Sequence, residues 1–188
     1  MNDKQQRLFT AARDLFLAQG FKATSIADIA AKADVAVGTF YNFYQSKTAI
    51  FIAVYNEENE RVKLAIINQI DLTGAPVTVV QTVLQQIFTQ STNNRILQEW
   101  FSNPKLNAII AKTNQDIVAD SVVYATLMVL ITDWQQRKLL APGMTQERIL
   151  SLFNALTVVD FHQSEVQTAD YFQLVSDLIT GILRVILK

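Results

Sequence analysis

Five glycines and three prolines in 188 residues leave this chain with very little to break a helix or turn a strand. A many-stranded sheet needs frequent turns, most of them built on those two residues. What the chain offers instead is apolar residues spaced three and four apart, the pattern of helices that bury one face. Half of its residues are hydrophobic and 18% are charged, enough to bury a real core. The expected fold is all-α.

Start and stop signals divide the chain. Leu8, Ala11, Ala12, Leu15 and Phe16 mark one face of a first helix from Lys4 to Gln19, with Asp3 and Gln6 as a capping box and Gly20 as the stop. A second capping box, Ser25 to Asp28, opens a helix facing inward with Ile26, Ile29, Ala30 and Ala33, and Ala27, Ala30 and Ala33 are small enough for close packing. A break at Asp34-Val35 precedes a third short helix through Gly38, Thr39, Phe40 and Tyr41, in which Phe40, with Tyr44, is expected in the core. Ser46 can cap a long fourth helix ending near Leu72-Thr73-Gly74, and Pro76 opens a fifth to about Thr92. After a break at Asn93-Asn94, Asn103-Pro104 repeats the cap-then-proline signal. A long helix is expected from about Gln115 to Leu139, then Ala141-Pro142-Gly143 as a loop, and two final helices near 146–161 and 169–187.

Several chemistries are excluded or disfavoured. With no cysteine there is no disulfide, thiolate nucleophile or cysteine metal site. His162 is the only histidine, so a metal site built on it would need carboxylates alone as co-ligands, and a capping or interface role is expected instead. Asp116 and Asp120, one turn apart, read as an exposed helix edge. No phosphate loop, nucleophile elbow or zinc motif is present, so no catalytic residues, metal or cofactor are expected. Met1–Gln6 does not read as a signal peptide. The most apolar run, Val122 to Ile131, is short of the roughly 20 residues that span a bilayer, so a soluble cytoplasmic protein with no membrane partner is expected.

Residues 20–47 read GFKATSIADIAAKADVAVGTFYNFYQSK. A helix entering the major groove must show small or short polar side chains at its N-terminal end, so that its backbone approaches the bases. Ala36, Val37, Gly38 and Thr39 meet that need: Thr39 can hydrogen-bond a base edge or phosphate, and Ala36 and Val37 suit thymine methyl groups. Residues 1–50 carry six Lys/Arg against four Asp/Glu, and 51–188 carry ten against thirteen, a mildly basic head on an acidic body.

Thr24-Ser25, Ile29-Ala30 with Ala33, Val35, Gly38-Thr39-Phe40-Tyr41 and Ser46-Lys47, in that order and spacing, resemble the TetR (tetracycline-repressor-like) family of bacterial regulators. The resemblance implies a three-helix helix-turn-helix head, residues 1–48, joined by the long fourth helix to a helical ligand-binding and dimerisation domain, residues 49–188. It further implies that Tyr41 contacts phosphate, that Lys47 grips the DNA backbone as a point charge, and that Ser25 adds a phosphate contact, with Asn42 as an additional one. Three departures stand out: Asp34 where glycine is usual, Ala36 in place of a serine cap, and Phe43 in place of histidine or tyrosine.

In the body, Trp100, Tyr124, Trp134 and Phe161 are the candidates for lining a ligand pocket, although aromatics at helical spacing are usually core. Phe153, Leu156, Val175, Leu178, Ile179 and Ile182 are the candidates for pairing two copies through the last two helices. The expected function is a ligand-responsive regulator, acting as a repressor. It would bind a palindromic double-stranded operator as a homodimer and be released by a small, mainly apolar effector. The alternative, favoured by the low basic count and the missing serine cap, is a helical ligand- or partner-binding protein that no longer reads specific DNA. A helical enzyme is a third possibility, disfavoured because one histidine and no cysteine assemble no nucleophile and base.

Overall fold

The computed structural model describes residues 3–114 and 121–188. Among them the chain forms α1 (Asp3–Ala23), α2 (Ile26–Lys32), α3 (Val37–Tyr41), α4 (Lys47–Ile67), α5 (Pro76–Asn93), α6 (Glu99–Ser102), α7 (Pro104–Asn114), α8 (Val122–Gln136), α9 (Gln146–Phe161) and α10 (Tyr171–Ile186). The fold is all-α: outside helices and turns, the described residues add only an isolated antiparallel bridge between Leu140 and Leu187. No described helix is long and apolar enough to cross a membrane. The chain divides into two compact units, Met1–Val62 with Gln90–Asn107, and Lys63–Thr89 with Ala108–Lys188.

Local chemistry explains where most elements start and stop. Gly20 breaks α1 with φ 81° and ψ 171°, a backbone that glycine adopts freely, and one further turn reaches Ala23. Ser25 caps α2 in a full capping box, its Oγ accepting from the Asp28 amide at 3.1 Å and the Asp28 carboxylate accepting from the Ser25 amide at 2.9 Å. Asp34 takes the left-handed turn between α2 and α3 at φ 53°, as aspartate can. Ala36 starts α3 with no side-chain cap bond. Ser46, Thr145 and Asp170 each accept from the backbone amide three residues on, opening α4, α9 and α10.

Other boundaries differ from expectation. Helix α4 ends at Ile67, several residues before Leu72, and Thr73 folds back on the Asp71 carboxylate instead. Helix α6 carried no sequence signal; it follows Asn94, whose Oδ1 accepts from the amides of Ile96 and Leu97. Helix α8 begins at Val122 behind Ser121. Residues 115–120, including Asp116 and Asp120, lie outside the described residues. Ala27 is exposed, whereas Ala30 and Ala33 are buried, so only the latter two serve as close-packing positions.

In the first unit Leu8, Phe16, Ile29, Phe40, Ile50, Phe51 and Val54 have no exposed surface. The rings of Phe16, Phe21 and Phe51 interlock, with Phe51 set edge-on to both partners at 5.1 and 4.9 Å. Burying each such ring contributes about 1.5–3 kcal/mol. The second unit closes over Val79, Leu127, Ile131, Trp134, Ile149, Ile179, Leu183 and Ile186.

Candidate nucleic-acid interface

Helix α3 has one buried side chain and an open outer edge. Phe40 is fully buried and packs on Tyr44, itself buried, at 5.9 Å. Ala36, Val37, Gly38, Tyr41 and Asn42 are exposed, Val37 by 44% and Tyr41 by 55%, and Thr39 is half-buried. A methyl group added at Gly38 would meet nothing within 4 Å. Glycine is therefore not needed there for packing inside the protein, and its effect is to keep the outer surface low. The structure thus brings Ala36, Val37, Gly38, Thr39, Tyr41 and Asn42 together on one short segment.

Ser25 and Lys47 each make bonds within the protein. Ser25 is exposed, but its hydroxyl donates to the Asp28 carboxylate at 2.7 Å, which uses its only O–H inside the cap. That bond, with the Ser25 amide, holds the Asp28 carboxyl below its usual range. The Lys47 ammonium is no free point charge. It donates to the carbonyls of Phe21 at 2.8 Å and Thr24 at 2.7 Å, and lies 4.3 Å from the centroid of the Phe21 ring. These bonds tie the start of α4 to the last turn of α1 and to Thr24 just after it. Two of its three N–H groups are thereby used within the protein.

Several other cations of the first unit are also engaged. Arg7 pairs with Asp3 and Asp34, Lys32 with Asp14, and Arg13 with Glu58. Glu58 is 1% exposed and receives Arg13 Nε at 2.9 Å, Arg61 Nη2 at 2.6 Å and Asn94 Nδ2 at 2.7 Å. Burial alone would push its carboxyl up; the hydrogen bonds from Arg61, Arg13 and Asn94 outweigh it and hold it at about 2. Trp100 stacks on Tyr55, and the Arg95 guanidinium donates to the Ala18 carbonyl. Segment 90–107 is thus anchored on α1 and α4. No sequence signal marked that anchoring, because Asn94 and Glu58 are 36 residues apart.

The body candidates separate. Trp100 belongs to the first unit, while Tyr124, Trp134 and Phe161 belong to the second. Trp134 is fully buried core, and Tyr124 borders a surface groove with Gln146, Leu150 and Asn154. Phe161 is half-buried at the end of α9. His162 follows it as the C-cap, its ring Nδ1 bonded to the Val158 carbonyl at 2.9 Å. On α10, Ile179 is 7% exposed and lies in the inner row with Leu183 and Ile186, so it is a core residue and not an outward one. Leu178 and the unforeseen Val185 are exposed one face over, and Val175 and Ile182 beside them are half-buried and pack against the core. Phe153 and Leu156 of α9 are half-buried against the core.

Residues 8–54 match the family model described as bacterial regulatory proteins, tetR family. The transposon Tn10 TetC protein of Escherichia coli is 27% identical over 147 residues, 69% of this chain and 75% of that protein. Among solved structures, RolR in complex with resorcinol aligns with a TM-score of 0.61 and 20% identity, over 97% of this chain and 87% of that one. A TetR-family regulator from Mesorhizobium loti aligns over 100% of both chains with a TM-score of 0.56 and 16% identity.

Proposed function

We propose that the chain is a member of the tetR family of bacterial regulatory proteins, whose family model its residues 8–54 match, and that it is a ligand-released repressor that binds a palindromic operator as a homodimer. The observation that carries this reading is the outer edge of α3. Val37, Gly38, Tyr41 and Asn42 lie open to solvent around a helix whose inward side chain, Phe40, is fully buried. A helix held this firmly from behind, and low and short-chained in front, suits insertion into a major groove. Thr39 is assigned to base edges and Tyr41 and Asn42 to the flanking backbone.

Two copies would pair through α9 and α10, setting their α3 helices about 34–36 Å apart, or a multiple of it, on successive turns of one duplex face. Support comes from the exposed Leu178 and Val185 on α10, flanked by Val175 and Ile182, which with Phe153 and Leu156 are half-buried against the core. The effector is proposed to be small and mainly apolar, entering the second unit; RolR, of similar fold, was solved with resorcinol. It needs only a few kcal/mol of differential affinity between DNA-binding and released states.

The test uses the DNA upstream of the chain's own gene, with binding read by fluorescence anisotropy. Thr39→Ala should change the preference among sites. Tyr41→Phe should weaken all sites by about 25-fold, the worth of one hydrogen bond of about fivefold in each of the two copies. If neither changes DNA affinity, the assignment of α3 is wrong. One observation favours a second reading, a partner- or ligand-binding protein without specific DNA recognition: the first unit carries nine Lys/Arg against eight Asp/Glu. Equal affinity for the upstream DNA and for unrelated duplexes would select that reading.

A further inference from the structure

A head that enters a major groove needs something to hold it there, and its charges are poorly placed to do so. Resting on the reading that α3 is the groove helix, we infer that Val37 recognises the C5-methyl group of thymine, and that phosphate charge pairing supplies little of the affinity.

The first unit is close to neutral, with nine basic and eight acidic residues. Its cations are largely occupied. Arg13 is held by the buried Glu58, Lys47 by two carbonyls, and Arg7 and Lys32 by carboxylates of the head itself. A protein that neutralises 6–10 phosphates loses about 10³–10⁵ in affinity between 50 and 200 mM salt; with Arg13 and Lys47 held inside and Arg7 and Lys32 each facing a carboxylate, this head has less charge to spare for phosphate.

What α3 presents instead is apolar. Val37 exposes 44% of its surface in the first turn, between the small Ala36 and Gly38, and Tyr41 follows one turn on along the same face. Nothing of the chain lies within 4 Å of where a Gly38 side chain would stand, so a base pair can approach the backbone there. The major-groove edge of DNA carries one distinctive apolar group, the thymine methyl, absent from guanine, cytosine and adenine. An isopropyl group beside a low backbone matches that group and no hydrogen-bonding edge. Thr39 and Asn42 remain for the polar positions.

The experiment has two steps. The full-length protein first selects from a pool of random-sequence duplexes. Each thymine of the enriched duplex is then replaced singly by deoxyuridine, which deletes only the methyl, and binding is measured for wild type and Val37→Ala. Alanine suits a short helix and Val37 is exposed, so the variant should fold. The inference predicts one thymine per half-site whose replacement weakens binding about fourfold, or about 15-fold when both half-sites are changed, the worth of one buried methyl each. In Val37→Ala that loss should shrink towards none. It also predicts that raising salt from 50 to 200 mM weakens the enriched site by less than about 30-fold, equivalent to fewer than about three phosphates. A deoxyuridine loss of equal size in both proteins, no loss anywhere, or a steeper salt response overturns the inference while leaving the DNA reading intact. Failure of any sequence to enrich overturns both.

Discussion

Two charged side chains of the first unit act on the protein before they act on any ligand. Lys47 fastens the end of α1 and Thr24 to the start of α4 by charge-assisted hydrogen bonds to two carbonyls. Lys47→Met should therefore lower stability by about 1–2 kcal/mol in a denaturant melt. The salt dependence of DNA binding should change by less than one unit of slope. A full unit lost with stability unchanged would return Lys47 to the phosphate backbone. Glu58 gives a pH signature. Its folded-state value of about 2 lies below the ordinary 4.5, so its contribution is fully present above about pH 4.5 and is lost as pH falls towards 2. Glu58→Gln should cost about 2–3 kcal/mol at neutral pH, because it weakens the hold on two guanidinium groups. The same substitution should flatten the acid limb of the stability curve. An acid limb unchanged in the variant would show that another group controls it.

At the scale of elements, whatever was encoded locally was readable. The capping box at Ser25 and Asp28, the break at Gly20, the left-handed Asp34 and the caps at Ser46 and Thr145 each depend on residues within four positions of one another. The exposed edge of α3 follows from Phe40 being its one large residue with a core to join. Contacts between distant segments could not be read: Lys47 reaches carbonyls 26 and 23 residues away, and Asn94 reaches Glu58. Helix α6 follows the turn that the Asn94 side chain holds and carries Trp100, which stacks on Tyr55; neither feature leaves a periodic pattern in four residues. Helix α10 misled for a different reason. It is apolar on two sides, so periodicity alone cannot separate the inner row ending at Ile186 from the outer row containing Leu178 and Val185. The outer row carries its own prediction. Leu178→Glu with Val185→Glu should shift a homodimer to monomers at micromolar concentration, measured by sedimentation, with helical content kept because both residues are exposed. An unchanged sedimentation coefficient would place the pairing face elsewhere.

In the whole molecule, a nearly neutral first unit continues into a second helical unit by way of α4, which runs from Lys47 through the boundary at Val62 to Ile67. The central claim is that two copies of α3 address one duplex together. Such an arrangement protects DNA in a pattern set by geometry: two short segments on one face, separated by one helical turn or a multiple of it. The direct measurement is a hydroxyl-radical footprint of the full-length protein on the DNA upstream of its own gene. Two protected half-sites in inverted repeat are predicted on that face, both lost when the Leu178 and Val185 double variant is used at the same concentration. Uniform weak protection along the fragment, or no protection at concentrations where the protein is a dimer, would contradict the claim.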